Sequence, residues 1–368
     1  MRLARAVAAS MLLLCAHAAL TSAAPGTPPR SAGIPEVGRW ETQMVRFGRA
    51  TCDYLAGAHT PDELLAAVYY DALRVFYRIG DYTRDAAWTA CAQRARAIYR
   101  DRYVLRNKGV VPGYWNFTDG LTMDHQRTGD PASKEAALLL SERAAYAADS
   151  TALAATQSPV RSREVAYAIM SYINAETLGA PPRARLPRLT DQALGHLDQW
   201  FGSKSYRCPR DCDPAQAAGQ YYIQPFMVAL TSEALIRQFE RTGDPRIPPA
   251  IKTALDWLWA NAWVPADRAF WYENWAPDGS RPLAPRPGAP DLNLLLAPAY
   301  AWLHRQTGDA AYRRQADQIF AGGVTRANLG SGKHFNQNYR VSFDYVALRA
   351  AAGPPSSRAS MLSAPRGR

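Results

Sequence analysis

Apolar residues in this chain fall into two kinds of run. In the first kind they form a stripe: Trp88, Cys91, Ala92, Ala95, Ile98 and Tyr99 recur at helical intervals, as do Trp40, Met44, Phe47, Thr51 and Tyr54. Such a stripe buries one face of a helix and leaves the other wet. In the second kind, apolar or small residues occupy most faces, which suits a helix covered on all sides. Sorted this way, the chain predicts inner helices over 62–79, 118–128, 163–177, 224–242, 292–306 and 338–352. It predicts outer helices over 39–56, 82–103, 131–148, 188–201, 245–262 and 310–321. No segment sustains strict alternation, so a large sheet is not expected.

The predicted pairs meet at a repeated turn. It reads Arg78-Ile79-Gly80-Asp81, Arg127-Thr128-Gly129-Asp130, Arg241-Thr242-Gly243-Asp244 and Gln306-Thr307-Gly308-Asp309, with Leu178-Gly179-Ala180-Pro181 as a degenerate copy. Glycine takes the left-handed conformation at a helix C-terminus without a Cβ penalty. Aspartate then caps the next helix, and Pro131 and Pro245 follow where a first helical turn tolerates proline. Repeats of about 50 to 65 residues point to stacked supersecondary units. Six pairs closing on themselves make an all-α, single-domain (α/α)6 toroid; an open solenoid of helix pairs is the alternative.

These turns resemble those of the six-hairpin carbohydrate-active superfamily, which includes unsaturated glucuronyl hydrolases, toroidal endoglycanases and alginate-lyase-like toroids. The resemblance covers residues 39–353 as architecture. The paired Asp-Asp of toroidal mannanases and the Asn-Asn-His run of alginate lyases are both missing. A glycan substrate is what the resemblance implies; fold alone does not dictate it.

Residues 1–24 read as a signal peptide: Arg2 and Arg5, an apolar run from Ala6 to Leu14, then small residues. Residues 25–38 form a linker, and 354–368 a basic, disordered tail. A secreted or periplasmic protein without stable membrane insertion follows. The formal charge is +11, of which the signal and tail arginines carry five, and no Lys/Arg block resembles a nucleic-acid arm. Oligomeric state is not legible. Four cysteines remain after the signal. Pairings Cys52–Cys91 and Cys208–Cys212 are expected in an oxidising compartment, against a zinc site that lacks a histidine at ligand spacing. No metal or cofactor signature is present.

In a toroid of this kind the cleft lies at the N-terminal ends of the inner helices, so the loops entering them carry the candidate site. The first offers Trp115 and Asn116 to a sugar, and Asp119 as an acid or base that otherwise complements the helix dipole. His125, just before a turn, is expected in a structural hydrogen bond. The second offers Glu164, equally a first-turn helix residue. The third offers Tyr221, Tyr222 and Gln224, with Pro225 opening a helix. The long stretch Trp263–Asp291 offers Trp271, Glu273 and Trp275; a carboxyl among rings suits a general acid. The last offers His334 and Tyr339 as bases, with Asn336, Asn338 and Arg340 to hold a sugar carboxylate.

Two reactions fit these residues. A glycoside hydrolase needs two carboxyls, drawn from Asp119, Glu164 and Glu273. A polysaccharide lyase needs a base, Tyr339 or His334, and a group that neutralises a uronic carboxylate. The hydrolase leads on the fold's usual chemistry and the mildly basic chain favours the lyase. A non-catalytic glycan-binding or scaffold toroid is the third reading.

Overall fold

The computed structural model describes residues 33–206, 222–275 and 283–351. The segments expected to be a signal peptide and a tail, Tyr221 and the expected pair Cys208 and Cys212 lie outside the described residues.

The chain is all-α. Hairpins pair α3 (Ala72–Thr83) with α4 (Trp88–Arg96), α5 (Asp119–Thr128) with α6 (Pro131–Arg143), and α7 (Ser162–Thr177) with α8 (Arg185–Leu197). They continue with α9 (Pro225–Thr242) and α10 (Ile247–Asn261), then α11 (Asn293–Thr307) and α12 (Ala310–Arg326). Flanking these are α1 (Val37–Ala56), α2 (Pro61–Ala67), α13 (Gly332–Tyr339) and α14 (Ser342–Ala350). The strands among the described residues are a two-residue antiparallel pair, Trp263–Val264 with Ala269–Phe270. They fold back part of the stretch expected to be irregular.

Burial separates the helices as the pattern predicts. In α7 every residue from Glu164 to Ala175 is buried, and α9 and α11 are buried over most of their length. On α10 a single stripe is buried, Ile247, Ile251, Ala254, Leu255 and Leu258. The buried helices are neighbours in order: α3 packs on α5, α5 on α7, α7 on α9, α9 on α11 and α11 on α14. Two ion pairs then join α14 to α3, from Asp344 to Arg74 at 3.1 Å and to Arg78 at 2.7 Å. On the outside α1 touches both α4 and α12. Trp40 of α1 is fully buried, packs on Tyr339 and Phe343, and donates to Ser342 Oγ at 3.1 Å. The Cys52–Cys91 disulfide, at the expected positions, ties α1 to α4.

The turns work as their chemistry requires. Gly129, Gly243 and Gly308 have φ of 71°, 67° and 73°. Each is followed by an aspartate that accepts a backbone N–H two residues on. His125 Nδ1 lies 2.9 Å from the Asp130 carbonyl, the structural bond expected of it, and His304 repeats the contact with Asp309.

The first copy departs from the expected register. Gly80 and Asp81 lie inside α3, and the left-handed residue is Arg84, φ 57°. The shared element is Thr-x-Asp, not Gly-Asp. Thr83, Thr128, Thr242 and Thr307 each accept the N–H of the aspartate two residues later. Trp88 packs near Gly80, where an added Cβ would lie 3.5 Å from that of Trp88, an ordinary contact.

Two expected inner helices are also broken. The 62–79 segment stops at Ala67, and Tyr70 and Asp71 both turn left-handed before α3 begins. The 338–352 segment is split between α13 and α14 at Arg340 and Val341.

Candidate functional site

A recess of about 410 Å³ opens at the N-terminal ends of the buried helices. Its walls are Tyr69 and Tyr70 before α3, Tyr114 and Trp115 before α5, Arg163 at the start of α7, Phe226 at the start of α9, Tyr272, and Lys333 in α13. Trp115 is held edge-on by Tyr69 and packed by Tyr103, and Tyr272 stacks on Phe226. Tyr114 and Tyr272 are 39% and 47% exposed, so their rings remain open to a ligand. The charged residues in this lining are Arg163 and Lys333, and no carboxylate is among them. Arg163 lies over the Tyr114 ring at 5.2 Å and Lys333 over Tyr69 at 5.8 Å. Glu164 Oε1 accepts from Arg163 Nη2 at 3.0 Å, which orients the guanidinium from behind; its Nε is buried without a partner. Helix N-termini add positive potential.

Beneath the recess the interior is closed by charge. Asp119 accepts from Arg74 at 2.7 Å, from Arg237 at 2.5 and 2.9 Å, and from Asn174 at 2.8 Å. Burial alone would raise its carboxyl, but the charges of Arg237 and Arg74 outweigh burial and hold it well below the usual range. Glu233 Oε1 accepts from Arg74 and Arg237. Its Oε2 lies 2.9 Å from Arg340 Nη1, close enough for an ion pair but not aligned as a hydrogen bond. Asp71 is fully buried and accepts N–H groups from Arg74 and Gly120. Burial, then the charge of Asp119, pushes its carboxyl up to about 6.

The residues expected at the site divide among three places. Trp115 lies in the recess wall, and Tyr272 and Lys333 bring the neighbours of Glu273 and His334 to it. Glu273 sits one residue beyond, where its Oε2 accepts from Tyr222 Oη at 2.8 Å and Gln224 Nε2 at 2.9 Å. Tyr222 and Gln224 were expected on one loop and Glu273 on another, and these hydrogen bonds join them. Pro225 opens α9 as expected. Glu164 is buried with Oε2 unpartnered. Trp271 is buried and donates to the Asn261 carbonyl at 3.2 Å. Trp275 is buried with its N–H unpartnered, as is the Asn116 side-chain oxygen.

The 334–340 cluster is mostly structural. Tyr339 is 1% exposed and its hydroxyl donates to the Trp40 carbonyl at 2.8 Å, toward α1. Burial raises it well above the ordinary tyrosine range, so it is not the base expected. Asn336 donates to the carbonyls of Ala67 and Tyr69, fastening α13 to the break before α3. Asn338 donates back to the His334 carbonyl. His334 Nδ1 is buried without a partner. Arg340, 1% exposed, belongs to the ionic layer with Tyr167 at 5.5 Å, not to the recess wall. Asp119 is likewise a member of that layer, fully engaged and ionised, and it has no proton to give.

Sequence reasoning passed over Tyr69, Tyr70, Tyr114, Arg163 and Lys333 in the recess, and Arg74, Glu233 and Arg237 below it. Arg163 and Lys333 each stand at a helix start beside a residue that was chosen. Arg74 lies in the first turn of α3 and Glu233 and Arg237 lie mid-helix in α9, all on the apolar inner set, and a charge in such a helix is the signal that would have found them. Among the described residues no group of three or more His, Cys, Asp or Glu side chains is placed to hold a metal. No family model matches the chain, and no curated protein matches it.

Proposed function

We propose that the helix pairs close into an (α/α)6 toroid whose recess binds an acidic glycan, and that the protein is an exported polysaccharide lyase. Closure is supported by the neighbour order from α3 through α14 and by the Asp344 pairs that return to α3. Export is supported by the signal-like N-terminus and the disulfide; no helix among the described residues is long and apolar enough to cross a membrane.

The observation that carries the function is the character of the recess wall: open aromatic rings, two cations and no carboxylate. Rings present flat faces to pyranoses, and a guanidinium suits a sugar carboxylate. β-Elimination needs that carboxylate neutralised while a base removes the adjacent proton. We assign the first task to Arg163. Tyr114, the exposed hydroxyl beside it, is the base in this reading, replacing Tyr339. The Tyr114 oxygen takes the proton next to the carboxylate, the C–H electron pair forms a carbon–carbon double bond in the sugar as the glycosidic C–O bond breaks, and the proton passes on to the leaving glycosidic oxygen.

Hydrolysis is the second reading, favoured by Glu273, whose carboxylate is fixed by Tyr222 and Gln224 one residue from Tyr272. Product analysis separates the two. Mature protein incubated with uronic and neutral polysaccharides is expected to produce an unsaturated, ultraviolet-absorbing end from the uronic ones. Tyr114→Phe should lower kcat about 100-fold or more with little change in KM. New reducing ends without absorbance would transfer the assignment to Glu273, tested with Glu273→Gln. Cleavage of neither class would end the proposal.

A further inference from the structure

A second cavity, about 490 Å³, lies beside the ionic layer, along α3, α9, α11 and α14, from Arg74 and Leu295 to Glu240, Arg305 and Ala351. It is a separate space from the recess and shares no lining residue with it. Seven charged residues face it. Five are paired: Arg74, Arg78 and Arg237 with Glu233, Asp344 or Asp119. The other two, Glu240 and Arg305, make no ion pair or side-chain hydrogen bond among the described residues. They are within electrostatic range of each other yet do not close into a pair.

The cavity wall has the same two-sided character. Trp302 is 2% exposed, lines the cavity, and its indole N–H is buried without an acceptor. Pro298, inside α11, also lines it and has no N–H to offer the carbonyl of Leu294. One donor thus lacks an acceptor and one helical carbonyl lacks its usual donor, about one turn either side of Pro298. Much of the remaining wall is aliphatic, including Leu295, Ala299 and Leu348.

We infer that this cavity is a binding site for a zwitterionic α-amino acid with an apolar side chain. The carboxylate lies between Arg305 and the Trp302 N–H. The ammonium lies toward Glu240, and the side chain rests on the aliphatic wall. A simple anion would leave Glu240 unmatched and meet the C-termini of α9, α11 and α14, and a simple cation would leave Arg305 and the indole unmatched. The zwitterion answers both.

Isothermal titration of the full chain with L-leucine, with 4-methylpentanoate and with 3-methylbutylamine tests this. The first analogue lacks the ammonium and the second the carboxylate. Leucine should bind saturably, and each analogue about tenfold or more weaker. Arg305→Met should remove leucine's advantage over the amine, and Glu240→Gln its advantage over the acid. Both positions lie at the exposed rim, and an unchanged unfolding midpoint confirms that the variants fold. Absence of saturable leucine binding, analogues as tight as leucine, or affinities unmoved by both substitutions would each overturn the assignment.

Discussion

Asp119 opens a helix in the sequence and looks there like a cap or a catalytic acid; three dimensions surround it with two guanidiniums. Removing its charge leaves Arg74 and Arg237 buried and under-compensated. Asp119→Asn should therefore cost about 3–5 kcal/mol in denaturant unfolding. A loss under about 1 kcal/mol would mean that the ionic layer is not a structural plug. His196 is a second buried titratable group. Burial lowers it to about 4, while one ring nitrogen lies 2.9 Å from the Thr156 carbonyl. Its folded value lies below the unfolded one, so its contribution is complete above about pH 6.5 and is lost as pH falls toward 4. The full loss is about 3 kcal/mol. His196→Gln should flatten the difference between unfolding curves at pH 7 and pH 4.5. Neither environment was legible in the sequence, because the partners of Asp119 come from α3, α7 and α9.

The hairpin turns were the most readable feature, since glycine, threonine and aspartate act on their own backbone neighbours. The same local logic misplaced one turn, where Gly80-Asp81 imitates the motif and Thr83-Arg84-Asp85 performs it. Two substitutions distinguish the positions. At Gly308 the φ of 73° penalises any side chain although nothing lies within 4 Å, so Gly308→Ala should destabilise by about 1 kcal/mol. At Gly80, helical and with Trp88 at an ordinary 3.5 Å, alanine should be neutral or stabilising by up to about 1 kcal/mol. Equal losses at both, read from thermal or denaturant melts, would restore the original register. The break before α3 left no such trace. Tyr70 and Asp71 are held left-handed by contacts from distant elements: Asp71 binds Gly120, and Asn336 grips the carbonyl of Tyr69. An apolar pattern running through 62–79 cannot announce that.

At the scale of the molecule, periodicity separated buried from half-buried helices well, because burial on all sides is a compositional property. The resemblance to toroids pointed to the N-terminal ends of the inner helices, and a recess lies there. Neither chose the residues there, since a tyrosine that packs and one that faces a ligand have the same letter. Tyr339 turns toward Trp40, and Tyr114 toward solvent. Tryptophan fluorescence titration with an unsulfated uronic tetrasaccharide tests the central claim directly, comparing the native chain with Arg163→Met and with Tyr114→Phe. The account predicts saturable quenching in the native protein, an affinity about tenfold or more weaker in Arg163→Met, and nearly native affinity in Tyr114→Phe. Binding equally strong in Arg163→Met, or stronger for a neutral tetrasaccharide than for the uronic one, would contradict it.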